Sequence, residues 1–501
     1  MALSIPLRRN RAAPSPYAGL SWSGTKNKHS GLAVLGGVLA LLAALAPPIV
    51  TIGALAGILL SLLLMARPVM AVYLLVFCVP YESVRDVPLG ALHLTLTEFV
   101  AFFGGAAFLA SAARQGRVRV SEASWAGPLF LFAGVMVLSM SQATDLTSSI
   151  KEFLKLGEEV LTYLLVLAYI DTPARVKRLV GLLVFAAASQ ALLGVLQTFA
   201  HFGPASFLRV GGLLRADGTF DQPNPYAGYL NYTLPLLIAA VALRVDLIGK
   251  WTKPSLVLIA AAMLLSQSRG ALIAIIVALA VILIVAQPRV RALVGAAGAL
   301  VVGLVVAAIF GIVPSSVTGT LADAVGLGNV DLYAPTPLTW AAAERLAHQL
   351  AGLAMFGDHP ILGVGIGNYP AAYPKYQLAS YWGPPLGHAH NYYINVAAEA
   401  GVVGLGAFLV VLVSAFIIGV KLYRRAETPR NRVLALGMIG VLTALTVHNN
   451  FDDVFVHAME AQLALVVGLA TVSCRLDDDG PAIVGAPAPR GLGRESVIQN
   501  G

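Results

Sequence analysis

Apolar runs, most of about 16 to 24 residues, recur almost from one end of the sequence to the other, separated by short clusters of Arg, Lys, Pro or Gly. A run of that length crosses a hydrocarbon core of about 30 Å as a helix. Inside lipid no water is available to pair backbone amides, so each run must satisfy its own hydrogen bonds, which open strands cannot do. Only 12% of the 501 residues are charged and the mean hydropathy is +0.79, whereas an average soluble domain carries roughly 25% charged residues. These features exclude a soluble fold. The expected class is an all-α polytopic membrane protein with about 12 to 14 transmembrane helices.

The runs fall at 31–46, 49–66, 69–81, 94–113, 124–142, 152–170, 179–200, 225–243, 254–267, 270–287, 292–313, 402–420, 433–448 and 457–474. With residues 1–30 as a basic cytoplasmic tail (Arg8, Arg9, Arg11, Lys26, Lys28), alternate connections carry Arg67, Arg114/Arg117/Arg119, Arg175/Lys177/Arg178, Arg244/Lys250/Lys253, Arg289/Arg291 and Lys421 to Arg432. Basic residues mark cytoplasmic loops, so these all face inward. The opposite connections hold chiefly Arg85, Arg209, Arg215 and Arg269. The tail is too long for a signal-peptide n-region and a second span follows at once, so the first helix is expected to stay uncleaved. The formal charge of +8 is scattered over short loops and forms no stripe, so no nucleic-acid partner is expected. Cys78 and Cys474, the only cysteines, supply neither a disulfide framework nor a CxxC metal site.

Two outer connections are long, 201–224 and 314–401, and loops of this length are usually functional. In the second, Thr336 as N-cap with Pro337 behind it, and a stop over Gly357 to Pro360, predict an amphipathic helix over 338–356 near the membrane surface. The tail 476–501, rich in Gly, Pro and Ala, is expected to be disordered and cytoplasmic. The domain plan is therefore the tail 1–30, N-terminal helices over 31–200, a chemistry-bearing region over 201–475 and the tail 476–501.

The polar constellations stand in the outer connections. Arg215-Ala-Asp-Gly218-Thr-Phe220 runs into Pro223-Asn224-Pro-Tyr226 at the start of the eighth run, and Ser266-Gln-Ser268-Arg269-Gly270 makes a tight hairpin before the tenth. An Arg fork suits phosphate oxygens, although an Arg at a helix end can equally snorkel to the interface. Gly363-Val-Gly365-Ile-Gly367 lacks a strand-turn-helix setting, so it reads as close loop packing and not as a nucleotide site. His388-Ala-His390-Asn391 leads through Glu399 to Gly401-Val-Val-Gly404; an imidazole at a helix start feels the positive end of the dipole, which favours the neutral base. His448-Asn-Asn-Phe-Asp452-Asp453 with His457 fits no zinc spacing and reads as a polar pocket wall, so no metal is expected. Lys151, Glu152, Lys155, Glu158 and Glu159 either line a water-filled cavity or precede a helix that starts later.

In this order the motifs resemble the O-antigen ligase family, which also takes in O-antigen polymerases and protein O-oligosaccharyltransferases. The resemblance is carried by His390-Asn391, nine residues and Gly401-Val-Val-Gly404, by Arg215 with Gly218 to Phe220 and Pro223-Asn224, and by Ser268-Arg269-Gly270. Asp358-His359-Pro360 with Gly363 to Gly365, and His448 with Asp452, complete it, over about residues 200–475. The resemblance implies a GT-C-like fold in the bacterial inner membrane and metal-independent, cofactor-free transfer of a glycan from polyprenyl (undecaprenyl) pyrophosphate on the extracytoplasmic face. The acceptor would be a second glycan, lipid A core or a protein hydroxyl. Carried over residue by residue, Arg215 and Arg269 would hold the pyrophosphate and His390 would activate the acceptor; His388 is the competing base, though the nine-residue spacing favours His390. Asn224, Ser268, His388, Asn391, His448 and Asp452 would line the pocket. Two rivals are a transporter of the inorganic-carbon-transporter type and a non-catalytic member of a polysaccharide assembly complex. Transporters carry ionisable groups near the bilayer midplane, which here are confined to the Lys151–Glu159 cluster.

Overall fold

The computed structural model describes residues 48–82, 87–89, 92–115, 124–209, 212–309, 330–336, 339–383 and 387–478. The expected tail 1–30, the run 31–46, the last residues (310–313) of the run 292–313, residues 314–329 of the long connection and the tail from 479 lie outside them. The chain divides into a unit up to Leu63 and a larger one from Leu64. In the first, the described part is the apolar helix α1 (Pro48–Ala66), which continues past the boundary.

The larger unit is built of α2 (Val69–Tyr81), α3 (Leu96–Gln115), α4 (Ala126–Ser139), α5 (Leu146–Tyr169), α6 (Pro173–Ala200), α7 (Pro223–Leu230), α8 (Leu234–Ala242), α9 (Thr252–Ser266) and α10 (Arg269–Ala286). They are followed by α11 (Pro288–Ile309), α12 (Trp340–Asp358), α13 (Tyr369–Tyr376), α14 (Tyr392–Arg425), α15 (Pro429–His448) and α16 (Met459–Asp478). One small antiparallel hairpin, β1 (Val87–Leu89) on β2 (Leu92–Leu94) with Pro88 opposite His93, interrupts the all-helical plan. Six helices among the described residues, α3, α6, α10, α14, α15 and α16, are long and apolar enough to cross a membrane. The protein is thus an all-α, multi-pass membrane protein.

The expected runs from 49–66 onward coincide with helices, with one division. The run 225–243 is cut into α7 and α8, because Pro235 lacks an amide hydrogen and stands in the first turn of α8. Interior position separates the helices: 83% of the apolar stretch of α15 and of α16 is buried, against 22% of that of α10. Helix α15 packs on α8, α10, α14 and α16, and α16 packs on α5.

Two local features prepare the site. The Asp145 carboxylate accepts from the amides of Thr147 (3.0 Å) and Ser148 (3.3 Å), so α5 starts at Leu146, earlier than the apolar run at 152 suggests. Lys151, Glu152, Lys155 and Glu159 therefore sit within the helix and line a cavity of about 270 Å³, whereas Glu158 lies outside that lining. The helix expected in the long connection is α12, with Thr339 and not Thr336 at its N-cap position and the two hydroxyls 3.0 Å apart; Pro337 lies outside the described residues.

Candidate active site

The turn before α14 is built by short-range polar bonds. Asn391 caps the helix, its side-chain oxygen accepting from the amides of Tyr393 (3.0 Å) and Ile394 (3.1 Å). Tyr392 donates its amide to the Asn449 carbonyl (2.8 Å), which ties the turn to the α15–α16 connection. His390 sits in the left-handed region (φ 53°), held by its amide bond to His388 Nδ1 (3.1 Å) and by the Ala389 amide on Asn395 Oδ1 (3.1 Å). Asn391, expected as a pocket wall, is thus a helix cap and lines neither of the two polar cavities described here.

The second half of the His390 motif is a joint. Gly401 breaks α14 with φ 67° and ψ −167°, and the loop after α12 threads the break: Val402 donates to the Pro360 carbonyl, Val364 to Ala398 and Gly365 to Glu399. A Cβ on Gly401 would lie 2.1 Å from the Ile361 carbonyl oxygen, and one on Gly363 2.2 Å from the Glu399 carbonyl carbon. The alternating glycines therefore serve close backbone packing.

Asp452, from the α15–α16 connection, is the hub. Its Oδ1 lies 3.1 Å from His390 Nδ1, and its Oδ2 accepts from Asn224 Nδ2 (2.8 Å) at the start of α7. His388 Nε2 and Arg345 Nη2 each stand 3.9 Å from it. Burial pushes the Asp452 carboxyl up, but the hydrogen bond from His390 and the nearby Arg345 charge override it and hold it well below the usual carboxylate range. Nδ1 of His388 is occupied as an acceptor, and burial brings this imidazole down to about 4, so it is neutral at pH 7. His348, on α12, is 2% exposed and stacks flat on His390, with ring centroids 5.4 Å apart and planes 9° from parallel.

Beside this hub, Arg209, Arg215, Arg269 and Arg345 converge on a cleft of about 80 Å³ that is also lined by Asn224, Ser268, His448 and Asp452. Arg215 is fixed by Nε donating to the Ser266 carbonyl (2.8 Å) and Nη2 to Asn224 Oδ1 (3.3 Å). Burial and the charges of Arg209, Arg345 and Arg269 bring it down to about 10, so it stays a cation at neutral pH. Gly270 lets the α9–α10 hairpin close on the α15–α16 connection, since a Cβ there would lie 2.8 Å from the Phe451 Cβ and 3.2 Å from His448. Arg215, Arg269, Asn224, Ser268, His390, His388, His448 and Asp452, read from four separated sequence motifs, thus meet in one place. Arg345 and His348 were not singled out by sequence; the signal for Arg345 was an arginine in a connection expected to lie on the outer side, where basic residues are scarce.

A small cation is the one cofactor the donor set suggests, since ligand atoms of His388, His390 and Asp452 lie within 4.8 Å of one another. The setting opposes it. Two of those donors are already engaged, Asp452 with His390 and His388 with a backbone amide, and the four arginines of the adjoining cleft would repel a divalent ion. His457, expected near that group, instead meets the ring of Phe220 edge-on.

Residues 254–409, from α9 into α14, match the family model described as O-antigen ligase. Over this segment the chain is similar to the O-antigen ligase family. The match supports, at family level, a membrane glycosyltransferase of ligase or polymerase type. The matched segment is narrower than the 200–475 over which the motifs resemble the family: it contains Ser268, Arg269, Arg345, His388, His390 and Gly401, while Arg215, Asn224, His448 and Asp452 come from outside it and are brought in by the fold. No curated protein matches the chain.

Proposed function

We propose that this protein moves a glycan from a polyprenyl (undecaprenyl) pyrophosphate carrier to an acceptor hydroxyl, without a metal and with inversion at the anomeric carbon. One observation carries the proposal: a cleft ringed by Arg209, Arg215, Arg269 and Arg345 adjoins a His390–Asp452 pair. Planar guanidiniums suit the oxygens of a pyrophosphate and need no reorganisation as charge builds on the leaving group. With Nδ1–H donated to Asp452, His390 keeps Nε2 as the proton acceptor. The acceptor oxygen loses its proton to Nε2 and attacks the anomeric carbon from the face opposite the carrier. The bond from that carbon to the pyrophosphate oxygen breaks, and its electron pair leaves with the phosphate. Asp452 then stabilises the imidazolium, and His348 limits the tilt of the ring. His388, with Nδ1 occupied, holds the turn.

The same proposal places the protein in the bacterial cytoplasmic membrane with both termini cytoplasmic and the site extracytoplasmic. Support comes from the split of charge: Arg67, Arg175, Lys250, Arg289 and Arg425 stand at helix ends remote in sequence from the site connections, as the positive-inside rule requires of cytoplasmic loops. Within the domain plan, 201–475 is the catalytic region. Purified protein supplied with lipid-linked oligosaccharide and acceptor should form the glycosidic product, and His390→Ala and Arg269→Ala should abolish it; full activity in both variants would refute the mechanism.

A further inference from the structure

The cavity of about 270 Å³ adjoining the site has no role in the mechanism so far. It opens on the other side of the Asp452-Asp453 pair: Asp452 lines the arginine cleft, whereas Asp453 and His388 line this cavity, and the His388 ring meets that of His390 at 4.7 Å. Its remaining polar wall is Glu152, Glu159, Asn395, Glu399 and Glu460 together with Ser148, Lys151 and Lys155, and Tyr392 and Phe455 supply ring surface. The two chambers differ in balance: four arginines against Asp452 in the cleft, and five carboxyl groups against two lysines in the cavity.

Most of these groups have partners. Glu152 is paired with Lys155 at 2.6 Å, Glu399 accepts from the Tyr369 amide (2.9 Å) and Asp453 from the Phe455 amide (2.8 Å). Glu159 is different. It is 6% exposed, faces the cavity and has no hydrogen-bond partner among the described residues. One carboxylate oxygen of Glu460, on the same wall, is buried without a partner as well. Buried polar atoms are normally satisfied, so unpaired acceptors facing a void point to donors that arrive with a ligand.

We propose that this cavity is the acceptor site and that it takes an uncharged or amine-bearing sugar in preference to a phosphorylated or uronic-acid sugar; this rests on the glycosyltransferase reading. Sugar hydroxyls are the donors that Glu159 and Glu460 lack, and the rings of Tyr392 and Phe455 suit the apolar face of a pyranose. Five carboxyl groups outnumber the two lysines of this wall, and Lys155 is already paired with Glu152, so an anionic acceptor would give up its hydration in a confined space with little free positive charge to replace it. Its volume lies just below the range of about 300 to 1,000 Å³ typical of small-molecule sites, room for a terminal sugar unit and not for a long stretch of chain.

The test uses the full chain in lipid nanodiscs with a lipid-linked oligosaccharide donor and two matched acceptors, one ending in glucose and one in glucuronic acid. Wild type should favour the glucose-ended acceptor, and Glu159→Gln and Glu460→Gln should each raise the acceptor KM about tenfold while the donor KM changes less than about twofold. Equal use of the glucuronic-acid acceptor, or variants that raise the donor KM and not the acceptor KM, would overturn the acceptor assignment and leave the transfer chemistry standing. Wild type that neither binds nor consumes the donor would overturn both.

Discussion

Asp452→Asn is the substitution that the geometry makes most informative. The carboxylate accepts on both oxygens, from His390 Nδ1 at 3.1 Å and from Asn224 Nδ2 at 2.8 Å. An amide of the same shape can accept on one side only. If its oxygen faces His390, its NH₂ faces that of Asn224, which must turn over and give up the bond from Arg215 (3.3 Å). If its oxygen faces Asn224, its NH₂ faces His390 and favours the tautomer with the proton on Nε2, which cannot act as a base. Either way the imidazolium loses its counter-charge. A hydrogen bond to a charged group contributes about 1.5 to 3 kcal/mol, so kcat should fall by about 10- to 100-fold. Because shape and volume are kept, the thermal unfolding midpoint in detergent should move little. The assay is initial-rate transfer from lipid-linked oligosaccharide, with kcat and donor KM determined separately. A kcat within about twofold of wild type would refute the role given to the pair.

Further outcomes follow from other parts of the structure. Arg345→Gln should raise the donor KM with little change in acceptor KM, measured in the same assay, because Arg345 lines the cleft and not the acceptor cavity. Gly401→Ala should lower stability by more than about 1 kcal/mol, read as a drop in the thermal midpoint, since the left-handed backbone and the Ile361 carbonyl both exclude a Cβ. Acid should destabilise the fold: burial brings His348 and His388 from 6.5 down to about 4, so each takes up its proton more readily when unfolded. Their contribution is complete above about pH 6.5 and is lost as pH falls toward about 4, and His348→Phe should flatten that part of a thermal-shift pH profile.

The helices were readable from sequence because each apolar run satisfies its own backbone, whatever it packs against. The His390–Gly401 spacing was readable too: Asn391 carries a cap signal, and Gly401 marks the break into which the loop at 360–365 threads. What escaped was set by contacts between distant segments. Asp452 pairs with His390 across 62 residues and with Asn224 across 228, and nothing local to any of the three reveals it. Arg345 reaches the cleft only through the packing of α12 on α14, which no local pattern announces. The charges at 151–159 could be placed only once Asp145 fixed the start of α5. The division of the run 225–243 was visible in Pro235, whose missing donor outweighed the apolar continuity.

The central claim, that a pyrophosphate-linked glycan is displaced at the arginine cleft by an acceptor activated at His390, is tested most directly by product stoichiometry. Wild type and His390→Ala would be incubated with lipid-linked oligosaccharide and acceptor in the presence of a chelator, following free polyprenyl pyrophosphate and the anomeric configuration of the new bond by NMR. The account predicts one carrier released per bond formed, inverted configuration, undiminished turnover with chelator and none in His390→Ala. Retained configuration, loss of wild-type turnover to the chelator, or an active His390→Ala would contradict it.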